Sequence, residues 1–156
     1  MIFGQMYLDE TSNELILCGS FQDSLTFDNG QTLYGTGESS VFTGIFSLNT
    51  GKVKQLGKSL DESSLMFAKF SNDNENVAYV SQHNIYLENL VTGKITPLTT
   101  DGTDKIINGT FDWVYEEELA ARDGFRWSPD GKSISFWRVD ASNTKFHLMI
   151  NNTDSL

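Results

Sequence analysis

Cysteine is almost missing from this chain of 156 residues: Cys18 stands alone, so no internal disulfide can form. It ends the apolar run Leu15 to Cys18 and reads as a small buried residue. The two histidines, His83 and His147, show no metal-ligand spacing and read as structural. Basic residues are scarce, 11 against 21 acidic ones, for a net charge of −10. Nucleic acid and anionic membrane surfaces need basic patches, so neither is an expected partner, whereas cationic ligands are favoured. No stretch approaches 18 apolar residues, so no membrane-spanning helix is expected. Met1 to Met6 lack a basic region followed by an apolar one, the pattern of a signal peptide. That absence bears on the native protein only if Met1 is its first residue.

What is present points to strands. Hydrophobic residues make up 38% of the chain, with 11 Phe, 5 Tyr and 3 Trp, and such aromatics suit a pleated sheet. The length allows one domain with a real core. Leu25-Thr26-Phe27 and Thr32-Leu33-Tyr34 bracket Asp28-Asn29-Gly30, a turn that closes β-hairpins. Gly35 to Ser40 lacks the Lys-Ser/Thr pair of a phosphate-binding loop and reads as a turn or irregular strand edge. Sequons stand at Asn108-Gly109-Thr110 and Asn151-Asn152-Thr153, a pattern frequent by chance.

From residue 41 the chain repeats. Asn49-Thr50-Gly51-Lys52 returns as Val91-Thr92-Gly93-Lys94, with Thr-Gly-Lys displaced by 42 positions. Phe67-Ala68-Lys69-Phe70-Ser71-Asn72-Asp73 returns as Gly124-Phe125-Arg126-Trp127-Ser128-Pro129-Asp130, displaced by 57. The 15 additional residues fall between Leu98 and Gly124, so an insertion interrupts the repeat there. A period near 42, built of short strands and tight turns, predicts β-propeller blades. Each would run strand, Ser-x-Asp turn, strand, short turn, strand, Thr-Gly-Lys turn, strand. Asp73 and Asp130 lack the glycine and closing glutamate of a calcium loop, and turn chemistry accounts for both. The expected fold is all-β: a partial propeller of three to four blades, each a four-stranded antiparallel sheet, with a short helical insert near 115–122. Residues 1 to 34 match the repeat poorly. Propellers close with four or more blades, so the chain is expected to be part of a larger protein.

The insertion carries Asp112-Trp113-Val114-Tyr115-Glu116-Glu117-Glu118-Leu119. Glu116 to Arg122 are good helix formers, and Gly124 is expected to stop the run. Adjacent helical residues point about 100° apart, so Glu117 and Glu118 would flank one small cation from two sides. The competing reading is a solvated acidic face, with Glu118 paired to Arg122 four residues on.

The run Asn108 to Glu118, with Arg126-Trp127-Ser128-Pro129-Asp130-Gly131, resembles the propeller domain of the dipeptidyl peptidase IV family, within the prolyl oligopeptidase group of serine peptidases. The similarity is strong over residues 65–156 and weak over 1–64. It implies an exopeptidase that releases N-terminal dipeptides, preferably with proline or alanine second, in which an eight-bladed propeller caps an α/β-hydrolase domain. By position in the motif, Glu117 and Glu118 would bind the free N-terminus of the substrate, with Glu116, Tyr115, Trp113 and Arg122 in support. No metal or cofactor is implied. Expected partners are peptides with a free N-terminus and the hydrolase domain of the full-length protein, with a homodimer left open. Relatives are commonly exported or membrane-anchored. An α-ammonium has a pKa of about 8 and three donors, and two carboxylates accept charge-assisted bonds of roughly 1.5–3 kcal/mol each. An acylated terminus offers no such cation, so the insert would set the cut two residues from the chain end.

The chain departs from the family in two ways. No arginine precedes Arg122, although the family places one in an earlier blade, near Thr36 to Glu38 here. No Gly-x-Ser-x-Gly elbow is present, nor a persuasive Ser-His-Asp arrangement, so the catalytic α/β-hydrolase domain is expected to be absent from residues 1–156. The alternatives are a non-catalytic propeller scaffold and a truncated remnant.

Overall fold

The computed structural model describes residues 2–9, 13–21, 24–26, 30, 32–34, 40–60 and 64–145. The arginine position near Thr36 to Glu38, His147 and the closing Asn151 to Leu156 lie outside them. Two four-stranded antiparallel sheets form. The first joins β1 (Ile2–Asp9), β2 (Glu14–Phe21), β5 (Ser40–Ser47) and β6 (Val53–Gln55) in the order β1-β2-β5-β6. The second joins β7 (Met66–Phe70), β8 (Asn76–Ser81), β9 (Asn84–Asn89) and β10 (Ile95–Pro97), each beside its sequence neighbour. These are two complete blades of the expected propeller.

The poor repeat at the start of the chain has a structural cause. In the second blade, β8 and β9 are joined by Gln82 and His83 alone, with φ of 45° and 61°, as a tight hairpin turn requires. In the first blade the same link holds a further hairpin, β3 (Ser24–Thr26) and β4 (Thr32–Tyr34), with Leu25 opposite Leu33. This matches the predicted pairing, although residues 27–29 of its turn are not among those described. The link is lengthened, and the sheet order survives.

The repeated sequences make repeated bonds. At the first Thr-Gly-Lys, the Lys52 amide donates to Thr50 Oγ1 at 3.3 Å, and Gly51 N donates to Ser47 O at 2.8 Å. At the second, Lys94 N donates to Thr92 Oγ1 at 3.3 Å, and Gly93 N donates to Asn89 O at 2.8 Å. The aspartate turns agree as closely. Ser71 donates to Asp73 at 2.5 Å and Ser128 to Asp130 at 2.6 Å, while the amides of Glu75 and Lys132 donate to the same two carboxylates. Among the described residues no cluster of metal-ligating side chains occurs.

The second blade is covered on both faces, which explains why β8 is buried almost throughout. Val77 and Tyr79 face Ile16, Ile45, Leu56, Leu65 and Phe70, in the core between the blades. Ala78 and Val80 face the other way, toward Ile85 and Phe125. Glu88 enters the first of these cores, 4% exposed, and its Oε2 accepts from Gly57 N at 2.9 Å and Tyr79 Oη at 3.0 Å. Burial, with Glu88 beside it, pushes the Tyr79 hydroxyl far above the ordinary phenol range, so it stays a donor.

A third unit begins with β12 (Phe125–Trp127) and β13 (Ile134–Phe136), an antiparallel pair. The strand beyond β13, β14 (Arg138–Asp140), pairs with β11 (Ile106–Asn108). The predicted insertion lies between β11 and β12. Its helix, α1, spans Trp113–Leu119 rather than the predicted 115–122.

Candidate functional site

The helix starts early because Asp112 caps it. The Asp112 backbone is extended, and its Oδ1 accepts from Tyr115 N at 3.2 Å, satisfying one of the free amides of the first turn. The cap outweighs the modest helix propensities of Trp113, Val114 and Tyr115. The helix ends at Ala120, which takes φ 51° and ψ 28° and donates its amide to Tyr115 O. Ala121 N donates to the same carbonyl at 3.0 Å. Helix-forming Ala121 and Arg122 are thus drawn into a return segment.

That segment is needed to close a narrow neck. Gly109 N donates to Trp137 O at 3.0 Å, Trp137 N to Gly124 O at 2.8 Å, and Gly124 N to Gly109 O at 3.0 Å. These three bonds tie the two ends of the insert to each other and to Trp137, the residue between β13 and β14. A Cβ at Gly124 would stand 2.9 Å from the carbonyl carbon of Gly109. Gly124 therefore serves backbone approach, not helix termination as predicted. Above the neck, Thr110 Oγ1 donates to Arg122 O at 2.8 Å. Asn108, fully buried, donates through Nδ2 to His83 O at 3.2 Å and to Asp101 Oδ1 at 2.9 Å. A glycan could not be attached there without unfolding the neck. Arg138 grips the other oxygen of Asp101, its NH2 at 2.9 Å and Nε at 3.1 Å, and Arg138 and Asn108 hold that carboxyl below the usual range.

One aromatic fastens the helix to the body. Tyr115 packs on Phe111 with centroids 5.6 Å apart, and Phe111 packs on Trp137 at 6.2 Å. Trp113, by contrast, is 69% exposed and has no ring partner among the described residues. Glu118 lies three positions after Tyr115 and shares its face, whereas Glu117 shares a face with Trp113.

The Glu118–Arg122 pair of the competing reading does not form. With the helix ended at Leu119, Arg122 is off the helical ladder and approaches Glu117 instead, NH2 to Oε1 at 3.8 Å. Both side chains are more than half exposed, so the contact contributes roughly 0–1 kcal/mol. Glu118 makes no ion pair among the described residues, and neither does Glu116. Two adjacent carboxylates thus stand on a clamped two-turn helix, one lightly held and one unpaired. A groove of about 460 Å³ opens beside the neck, lined by Asp123, Phe125, Arg126, Phe136 and Trp137. The arrangement can take a small organic cation with several donors.

Residues 38–155 match the family model for the dipeptidyl peptidase IV (DPP IV) N-terminal region. The chain belongs to this family. A probable dipeptidyl-aminopeptidase B of Talaromyces marneffei is 33% identical over 99 residues, 63% of this chain and 11% of its own length. A protein of the same description from Sordaria macrospora is 36% identical over 97 residues, 62% of this chain and 10% of its own. The crystal structure of Porphyromonas gingivalis dipeptidyl peptidase 4 aligns with a TM-score of 0.65 and 25% identity, covering 88% of this chain and 18% of that one. The chain therefore spans about a tenth of the length of the curated relatives it matches. The partial propeller predicted from the repeat matches part of the N-terminal propeller of the Porphyromonas gingivalis peptidase.

Sequence reasoning missed three contributors to the site: Asp112 as its cap, and the packing of Phe111 and Trp137. The first had a visible signal, an aspartate directly before a helix. The others depend on contacts between distant segments.

Proposed function

We propose that this chain is the substrate-recognition part of a serine dipeptidyl peptidase, in which Glu117 and Glu118 bind the free α-ammonium group of a peptide. The supporting observation is the pair of neighbouring carboxylates without a strong cationic partner, on a short helix held at both ends. An ammonium brings the missing positive charge and three donors, and relieves the repulsion between the two carboxylates. Internal peptides and acylated termini would leave both groups unpaired. Catalysis belongs to an α/β-hydrolase domain elsewhere in a longer protein, acting on Xaa-Pro and Xaa-Ala termini. Export from the cytoplasm and homodimerisation belong to the same proposal for that longer protein. Glu116 supports through charge, Tyr115 through packing and Arg122 through its contact with Glu117. Trp113 offers an exposed ring beside Glu117.

In the full-length protein, Glu117→Ala or Glu118→Ala is expected to lower kcat/KM for an Ala-Pro substrate at least tenfold, the loss of about one charge-assisted bond. Steady-state kinetics with purified variants reads this directly. Unchanged values in both would remove the assignment.

A further inference from the structure

The return segment of the insert carries a contact that neither the neck nor the helix requires. Asp123 Oδ1 meets Lys69 Nζ at 2.5 Å, and Asp123 Oδ2 meets Arg126 NH1 at 2.9 Å. Lys69 belongs to β7 of the second blade, 54 positions earlier. Its ammonium also lies 3.7 Å from the centroid of the Phe125 ring, the residue that opens β12. The side chain is about a quarter exposed, so water screens the pair little. Trp127 Nε1 donates to Lys69 O at 3.2 Å, so backbone and side chain of one residue both join the second blade to the third unit.

The strand that presents Lys69 is irregular at that point. The register of β7 on β8 shifts between Met66 and Lys69, and Phe67 takes φ 59°, a conformation that bulky residues avoid. A β-bulge of this kind re-aims the following side chains and persists where the surroundings over-determine it. Here Met66 and Phe67 both pack in the core that contains Phe125. Lys69 emerges from that bulge onto Asp123. Directly before Asp123 stands Arg122, whose carbonyl is held by Thr110 and whose guanidinium approaches Glu117.

We propose that Lys69 is a positioning residue for the acidic insert: it clamps Asp123 and, through the Arg122–Asp123 segment, holds Glu117 where a peptide's N-terminus meets it. This rests on the anchor reading of Glu117 and Glu118. Burial pulls the Lys69 ammonium below its ordinary value while Asp123 raises it, so the carboxylate keeps the lysine charged in a partly dry site.

The test uses the full-length peptidase and two substrates, Ala-Pro-p-nitroanilide and its des-amino counterpart, propionyl-Pro-p-nitroanilide. The ratio of their kcat/KM values measures recognition of the ammonium alone. Lys69→Met is expected to lower that ratio about two- to fivefold, and Lys69→Arg, which can still pair with Asp123, to restore most of it. Asp123→Asn removes the same charge pair with little change in volume and serves if Lys69→Met fails to fold. Glu117→Gln and Glu118→Gln are measured alongside. A wild-type ratio in Lys69→Met or Asp123→Asn, with the glutamate variants impaired, overturns the role of Lys69 and leaves the anchor standing. An equal fall in both rates, with the ratio preserved, marks the lysine as structural only and overturns the role too. A wild-type ratio in the glutamate variants overturns the anchor itself.

Discussion

Asp73 and Asp130 occupy the same place in two turns, and each accepts from a serine hydroxyl two residues earlier and an amide two residues later. These bonds favour the charged form and hold both carboxyls below the ordinary aspartate range, the serine being the larger cause in each. A depressed carboxylate contributes stability that is present above its unfolded pKa, about 3.9, and is lost as pH falls through its folded value. The turns should therefore hold at neutral pH and loosen only in strong acid. Ser71→Ala is expected to raise the Asp73 pKa toward the ordinary value while Asp130 stays depressed. An NMR titration of the aspartate carboxyls reads both at once, and an unmoved Asp73 would assign its shift elsewhere. At this scale the sequence was clear, because Ser-x-Asp is a local motif. Glu118 was legible as a candidate, and the competing pair with Arg122 is absent because that pairing depends on where the helix ends.

Helix α1 shows why element boundaries were harder. Propensity alone places the start at Glu116 and the end near Arg122, whereas the helix runs Trp113–Leu119. Asp112 moves the start by capping, and the neck moves the end by demanding the chain back at Gly124. The second cause is tertiary and leaves no local trace. Asp112→Ala is expected to cost about 1 kcal/mol of helix stability, read as faster amide exchange in residues 113–119 with the blade strands unaffected. Exchange unchanged throughout would mean that the Tyr115–Phe111–Trp137 stack alone holds the helix. The Thr-Gly-Lys and Ser-x-Asp turns were legible as elements through their displacements of 42 and 57 positions. The first blade was not, because the β3–β4 hairpin separates strands that the second blade joins by two residues.

For the whole molecule, blade packing depends on a polar contact within an apolar core. Glu88 of the second blade accepts from Gly57, in the segment after β6, and from Tyr79. Replacing it with leucine leaves two buried donors without an acceptor. Glu88→Leu in the full-length protein is expected to destabilise the propeller by about 2–4 kcal/mol, measured by urea unfolding. A variant as stable as wild type would mean that the blades are held by Ile16, Ile45, Leu56 and Phe70 without help. The propeller architecture was legible from the repeat, but this contact joins residues 31 positions apart with no pattern between them. The central claim is that the insert receives a peptide's N-terminus. The most direct test is a crystal structure of the full-length protein with a bound Ala-Pro dipeptide. The account predicts its ammonium nitrogen within about 2.7–3.2 Å of carboxylate oxygens from both Glu117 and Glu118. An N-terminus bound away from both glutamates would contradict it.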